Sequence, residues 1–562
     1  GGSFVAPKPE GDALTIGAFF ERPLAIRSLS RDLKAISSEA PPQSTRVDPN
    51  SIHESGVWAQ GTHLAYAKRP KKEIDSMVGI WESFCNEFEW PELLPIGARL
   101  GAVAERLGEY LSSHATRNRE LLTLVHGDFK PGNIFLAMPG TKFDGHSFIK
   151  DSINLGANSL IIKESLNITK DNLTIIEVDD VYKSLILLSK ASRKRINNSR
   201  NIIAITGSSG KTSTKEMLGY ALSTVGSTYI NPESYNNHVG VPYSLANMPR
   251  NTNYGVFELG MNNFNEISIL SKLVKPDIAI ITNISEAHIG NFNSVKDIIK
   301  AKSEIFNGLK SNGYILLNND HVYYKELEQS ISKSKNYNII KYGFNKNADI
   351  RLIKRLVDNY GQTLIVEAYG KTYKYKINLD GEHQAINSLA VLGVLLISKC
   401  NIEKGLKNLH KINLPAGRGK RYNLIIKGQN TVLIDDTYNA NLSSMVASLK
   451  TLYEKAKNNR KVLFFGEMRE LGVFSEDLHK KLYDYLISFN ISMIIFVGNK
   501  TKNLYKLCNR KIECFWSENV DSLSKEEISN LIKPKDFILV KGSRNMKMEI
   551  IVKYLLDNFK GK

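Results

Sequence analysis

Seven consecutive residues, Gly207-Ser208-Ser209-Gly210-Lys211-Thr212-Ser213, follow the apolar run 202–206 and precede the helix-compatible Lys215-Glu216-Met217-Leu218. Small residues let backbone N–H groups converge on phosphate oxygens, and a helix starting at Lys211 adds its partial positive charge. The Lys211 ammonium can reach β and γ phosphates, while the Thr212 hydroxyl can ligate Mg²⁺. The spacing is one residue shorter than GxxxxGK[ST]. A glycine turn between strand and helix accounts for the glycines; it does not account for a Lys-Thr pair at the helix start. ATP with Mg²⁺ is the expected ligand, held by Gly207, Ser208, Ser209, Gly210, Lys211, Thr212 and Ser213.

Such a loop needs a strand behind it and a sheet around it. From about residue 148 short apolar runs at 201–206, 254–258, 278–282, 432–435, 462–465, 493–497 and 537–540 alternate with helical patterns, which predicts an α/β chain with parallel, doubly wound sheets. The chain has 562 residues, enough for three or four domains, with 42% hydrophobic and 23% charged residues. Only four asparagines (Asn50, Asn86, Asn118, Asn133) fall in residues 1–140, whereas Asn, Lys and Ile crowd the later blocks, so the chain changes character near residue 140. Within the first stretch, helical patterns are expected around 74–87 and 100–113.

No apolar run approaches the ~20 residues of a membrane helix; the longest spans 389–398. The four cysteines (Cys85, Cys400, Cys508, Cys514) show no metal or disulfide spacing, and a reducing cytoplasm is expected. Nothing after Gly1-Gly2-Ser3 reads as a signal peptide. The formal net charge is +18, but the lysines are scattered without an aromatic-interleaved basic stripe, so nucleic acid is not expected; the charge reads first as a Lys- and Asn-rich composition, with phosphate-bearing substrates a secondary cause.

Thr-Gly-Ser-Ser-Gly-Lys-Thr at 206–212 resembles the ATP loop of the Mur ligase family, ATP-dependent amide-forming enzymes of peptidoglycan precursor synthesis. The resemblance continues in order through Asn236-Asn237-His238-Val239-Gly240-Val241-Pro242, Phe257-Glu258-Leu259-Gly260-Met261, Thr282-Asn283-Ile284, Ala301-Lys302-Ser303-Glu304-Ile305-Phe306, Leu317-Asn318-Asn319-Asp320, Gly381-Glu382-His383-Gln384-Ala385-Ile386-Asn387 and Gly417-Arg418. Asp435-Asp436-Thr437-Tyr438-Asn439-Ala440-Asn441-Leu442-Ser443-Ser444-Met445, Gly466-Glu467-Met468-Arg469-Glu470-Leu471-Gly472 and Lys541-Gly542-Ser543-Arg544 resemble the branch that adds D-alanyl-D-alanine to a UDP-muramoyl tripeptide.

The resemblance implies a small α/β first domain at 124–195, a central P-loop parallel-sheet domain at 196–413 and a Rossmann-like C-terminal domain at 414–562, acting as a cytoplasmic monomer. It implies Lys211, His288, Lys302 and Arg418 as catalytic residues; Thr212, Glu258, His288 and Lys302, the last through a carbamate, at Mg²⁺; and Asn283, Asn318, Asn387 and Asp436 at the nucleotide. Each has a plainer reading alone: a solvated carboxylate, a structural histidine, a surface lysine, a salt-bridge arginine. Adjacent residues on a strand face opposite ways, so only one of Asp435 and Asp436 is expected in the site.

Val125-His126-Gly127-Asp128-Phe129-Lys130-Pro131-Gly132-Asn133 resembles the HGDxxxxN catalytic loop of aminoglycoside phosphotransferase and choline kinase-like enzymes, so that residues 1–123 read as a partial kinase-like segment. It overlaps the stretch 130–146, which resembles the start of the first Mur domain without its preceding Asp-Ser-Arg. The alternatives left open are another ligase of the same superfamily, such as a folylpolyglutamate-type enzyme, a small-molecule kinase, and an inactive fusion.

Overall fold

The computed structural model describes residues 134–140, 144–165, 173–196, 201–232, 235–331 and 336–559, with a two-residue strand at Leu14–Thr15. The helical patterns at 74–87 and 100–113 and the HGDxxxxN residues 126–133 lie outside the described residues. The chain divides into two compact units.

In the first unit, strands β1 (Leu14–Thr15), β2 (Ile134–Leu136), β3 (Ser159–Ile162) and β4 (Thr174–Glu177) form one sheet in that order, parallel from β2 to β4. Phe135, Leu160 and Ile162 pack with Ile149 and Ile153 of helix Ile149–Asn154. Asp144 caps the turn after β2, accepting from the His146 amide at 2.8 Å, and His146 Nε2 accepts from the Lys163 amide at 3.1 Å. Asp144 and His146 are thus tied into the turn itself.

The second unit holds two sheets. The larger has nine strands: β5 (Asn201–Thr206), β6 (Thr228–Ile230), β7 (Tyr254–Glu258), β8 (Ile278–Ile281), β9 (Tyr314–Asn318), β10 (Asn338–Gly343), β11 (Ile350–Asp358), β12 (Gly361–Ala368) and β13 (Lys371–Ile377). Their order is β13-β12-β11-β10-β9-β8-β5-β7-β6. The chain leaves β5 for the edge strand β6, returns to β7, then crosses to β8 on the other side of β5. That reversal opens a crevice at the carboxyl ends of β5 and β8, where ligands of open α/β sheets bind. Helix Glu382–Ile397 is buried continuously from Gln384 to Leu395 against helix Lys211–Leu222 and the sheet. It contains most of the longest apolar run, which is apolar all round because it is a core helix; among the described residues no helix is long and apolar enough to cross a membrane.

The smaller sheet runs β14-β15-β19-β16-β17-β18, built from β14 (Lys420–Ile426), β15 (Gln429–Asp436), β16 (Lys461–Gly466), β17 (Met493–Val497), β18 (Glu513–Ser517) and β19 (Phe537–Lys541). Both sheets have parallel centres, as the alternation predicts, but β11–β13 form an antiparallel meander and β14 pairs antiparallel with β15. The cause is local. Tyr369-Gly370 (φ 50° and 75°) and Lys427-Gly428 (φ 48° and 75°) are two-residue turns with both residues left-handed, the twist that joins β12 to β13 and β14 to β15.

Candidate active site

At the end of β5 the chain turns through Gly207 and Gly210, and at both only glycine fits. A Cβ on Gly207 (φ 149°) would sit 2.0 Å from Thr282 Oγ1, and one on Gly210 (φ 80°) would meet the Asn387 side chain at 2.9 Å. The residues after β8 brace the loop. Thr282 Oγ1 donates to the Ser209 carbonyl at 2.6 Å, the Ser209 amide donates to Asn283 Oδ1 at 2.7 Å, and the Ser208 amide donates to the Asn283 carbonyl at 2.9 Å. Lys211 Nζ donates to the Gly207 carbonyl at 2.7 Å, folded over the cradle it opens. Burial and the nearby Arg418 charge push the Lys211 ammonium below its ordinary value, against the pull of Glu258 and Glu470.

Glu258, at the end of β7, is buried and accepts from Thr212 Oγ1 at 2.6 Å and from Asn236 Nδ2 at 2.8 Å. Burial works to raise its carboxyl, but Lys211, Arg418, Lys215 and the Thr212 hydroxyl together hold it below the usual carboxylate range. A buried hydroxyl and an ionised carboxylate therefore converge beside the phosphate cradle. Those donors suit Mg²⁺, which takes few protein oxygens and completes its octahedron with phosphate and water. Among the described residues no group of three His, Cys, Asp or Glu side chains is placed to hold a metal, so a cation here would draw on nucleotide oxygens and water.

Lys302, on helix Val295–Ser303, is 1% exposed, and among the described residues no hydrogen bond or ion pair reaches its amino group. Burial first, and Lys211 second, lower its pKa well below the ordinary value. This is a buried lysine, not the surface lysine that a helix would suggest. His288 lies in the left-handed region (φ 61°), and its Nδ1 stands 2.6 Å from Glu470 Oε2, with the carboxylate out of line with the ring N–H. His288 and Lys211 hold the Glu470 carboxyl below its usual range against burial.

The opposite wall comes from the link between the two sheets and from the ends of β15 and β19. Arg418 follows Gly417, whose amide donates to Asp435 Oδ2 at 2.9 Å; its guanidinium lies 3.8 Å from the centre of the Tyr438 ring, and its Nε is buried without a hydrogen-bond partner. Asp435 turns inward to the Thr437 hydroxyl at 2.7 Å, whereas Asp436 faces the cleft, as the alternation of a strand requires. Asp436 Oδ2 accepts from Ser448 at 2.6 Å and Lys541 at 2.7 Å, which leaves Oδ1 available. His383 lines the same cleft, and burial pushes it down to about 4, so it is neutral near pH 7.

A single cleft of about 620 Å³ thus gathers Ser208, Ser209, Gly210, Lys211, Thr212, Ser213, Glu258, Asn283, His288, Lys302, Asn318, Asn387, Arg418 and Asp436. Gly207 forms the loop behind it, and Asn318 uses its Oδ1 to cap the Asp320 amide at 3.0 Å. A larger cavity, about 1040 Å³, lies along β13 and contains none of these residues, so chemistry rather than size selects the site. Several supporting residues are absent from the sequence reading of the site. Asn231 accepts the buried Lys215 ammonium on its carbonyl at 2.8 Å and the Glu258 amide on Oδ1 at 2.9 Å. Asn236, Lys541 and Glu470 stand in the quoted motifs, but their partners lie 22, 105 and 182 residues away, and no local pattern reports those contacts.

The Lys302 environment carries a stability cost that can be measured. Its folded pKa lies well below the ordinary 10.5, so burying the ammonium costs stability in full below the folded value, and that cost shrinks as pH rises from there towards 10.5. Lys302→Met, which keeps the volume, is expected to raise stability at pH 7 by about 1 kcal/mol or more. The gap to the parent should narrow between pH 7 and 10 in urea titrations. A variant no more stable than the parent at pH 7 would show that the amine is better solvated than this burial implies.

Three family models match the chain: "Mur ligase family, catalytic domain" at residues 128–204, "Mur ligase middle domain" at 205–395 and "Mur ligase, glutamate ligase domain" at 420–544. The UDP-N-acetylmuramoyl-tripeptide--D-alanyl-D-alanine ligase of Rickettsia prowazekii (strain Madrid E) is 37% identical over 429 residues, covering 76% of this chain and 93% of the relative. The enzyme of the same name from Buchnera aphidicola subsp. Baizongia pistaciae (strain Bp) is 31% identical, covering 80% and 96%. Among solved structures, MurF from Acinetobacter baumannii superposes with a TM-score of 0.66 at 29% identity, covering 76% of this chain and 90% of that one.

Proposed function

We propose, from the premise that this chain belongs to the Mur ligase family, that it is the ATP-dependent ligase that adds D-alanyl-D-alanine to UDP-N-acetylmuramoyl tripeptide. The carrying observation is the cleft itself. A phosphate cradle, a buried Thr212–Glu258 pair and Arg418 from the opposite wall meet in one place, which is what activation of a carboxylate by phosphoryl transfer requires.

Amide formation at neutral pH needs a carboxylate oxygen made into a leaving group. The tripeptide carboxylate attacks the γ-phosphorus, ADP departs and an acyl phosphate forms; the dipeptide amine then attacks the acyl carbon, loses a proton, and inorganic phosphate leaves. Both steps crowd anions together, so catalysis rests on fixed cations and dipoles. In this reading the loop amides and Lys211 hold the β and γ phosphates, and Arg418 faces the transferring group from the other wall. Asn283, Asn318 and Asn387 border the nucleotide, and Asp436 offers Oδ1 to a ribose hydroxyl. Thr212 and Glu258 would hold one Mg²⁺, and His288 with Lys302 a second; the ions would supply neutralisation of phosphate charge. Burial lowers the pKa of Lys302, which favours the deprotonated amine that can add CO₂ and release a proton to become a carbamate, an oxygen ligand that the free amine is not.

Residues 124–195, 196–413 and 414–562 serve in this reading as substrate, nucleotide and acceptor domains of a cytoplasmic monomer. The test is ADP release with UDP-muramoyl tripeptide, ATP and Mg²⁺, comparing D-alanyl-D-alanine with single amino acids including L-glutamate. Release confined to the dipeptide is expected. Release with a single amino acid but not with the dipeptide would overturn the reading.

A further inference from the structure

The residues that face the cleft come from both sheets of the second unit, and two short turns hold those sheets together beside it. One is His288–Gly290 after β8; the other is Glu470–Gly472 after β16. Three contacts join them. Glu470 Oε2 stands 2.6 Å from His288 Nδ1, the Gly290 amide donates to the Glu470 carbonyl at 2.9 Å, and Gly290 packs on Gly472 so closely that a Cβ on Gly290 would lie 2.7 Å from the Gly472 amide nitrogen. His288, Glu470 and Gly472 all have left-handed backbones (φ 61°, 64° and 54°), so both turns are bent to meet. A second bridge runs beside it: Ser443 donates to Ser285 at 2.9 Å, and the Ser285 amide donates to Ser208 of the phosphate loop at 2.9 Å.

We propose that the Glu470 turn is a catch that seats the smaller sheet on the larger one and, in the same contact, orients His288, making Glu470 a positioning residue for the ligation reaction. The proposal rests on the reading above in assigning His288 to the reaction centre. A histidine that serves a metal is ordinarily held by a carboxylate on its other nitrogen. Here that carboxylate belongs to the other sheet, so the His288 ring is set only when the two sheets are together. Acyl-phosphate chemistry profits from such coupling, because the reactive groups assemble when water is excluded.

Gly290→Ala is the sharpest probe, since it adds one methyl group at the catch and removes no polar atom. In hydrogen–deuterium exchange on the full chain without nucleotide, exchange should rise together in segments 286–292 and 468–474, while helix Lys211–Leu222 stays at the parent level. Unchanged exchange at 468–474 would overturn the catch. In the ligation assay, Gly290→Ala and Glu470→Ala should each lower kcat about 10- to 100-fold with KM for ATP moved about threefold or less. Glu470→Gln, which keeps the side chain beside the His288 ring but lacks the charge sensed by Lys211, should recover most of kcat. Parent-like kcat in Glu470→Ala, or a Gln variant as slow as the Ala variant, would overturn the positioning role. If the parent chain releases no ADP with the dipeptide, the functional reading falls, and the exchange experiment still decides the catch.

Discussion

Lys211→Ala lowers kcat about a thousandfold, roughly 4 kcal/mol of transition-state stabilisation, and leaves thermal stability no lower than that of the parent. The two halves of this expectation come from the same burial. Lys211 is pressed below its ordinary pKa by desolvation and by Arg418, so the folded chain gains little from keeping the ammonium there. Glu258 keeps Arg418 and Lys215 as counter-charges when Lys211 is gone. In the proposed reaction, what is lost is the charge that follows the γ-phosphoryl group as it moves. Single-turnover kinetics and a melting curve on one preparation check both halves. A variant that melts well below the parent would mean that the lysine is structural; one with near-parental turnover would remove it from the phosphoryl path.

Glu258→Ala destabilises the fold by about 3–5 kcal/mol, the cost of leaving buried charge uncompensated. The residue binds Thr212 and Asn236 directly and is the opposite charge felt by Lys211. The pH dependence has a definite sign. The folded carboxyl lies below its ordinary 4.5, so its contribution is full above that range and is lost as pH falls through the depressed value. Urea titrations should therefore show the gap between parent and variant closing in acid and constant from pH 6 to 8. A gap that widened on acidification would contradict an ionised Glu258.

Much of this site was legible in the chain because its chemistry is local. Residues 202–213 put an apolar strand, a glycine turn and a Lys-Thr pair in continuous order, and the alternation at 432–436 separates inward Asp435 from outward Asp436. The supporting residues were not legible, for a physical reason. Lys215 looks like a helix-surface lysine until its ammonium is found on the Asn231 carbonyl, and Glu470 becomes meaningful only when β16 and β8 bring two turns together. The antiparallel edges were legible in principle, since Tyr369-Gly370 and Lys427-Gly428 are hairpin dipeptides, but alternation of strands and helices elsewhere masks them. The expectation of a partial kinase-like segment at 1–123 has no support from the matching family models, which begin at residue 128, and those residues lie outside the described ones apart from Leu14–Thr15.

The central claim is that a carboxylate is activated by taking phosphate from a nucleotide held at residues 207–213. Tripeptide substrate with both oxygens of its reacting carboxylate labelled with ¹⁸O tests it most directly. One labelled oxygen should appear in the inorganic phosphate released per amide bond formed, as read by mass spectrometry. Phosphate free of label, with amide still produced, would contradict it.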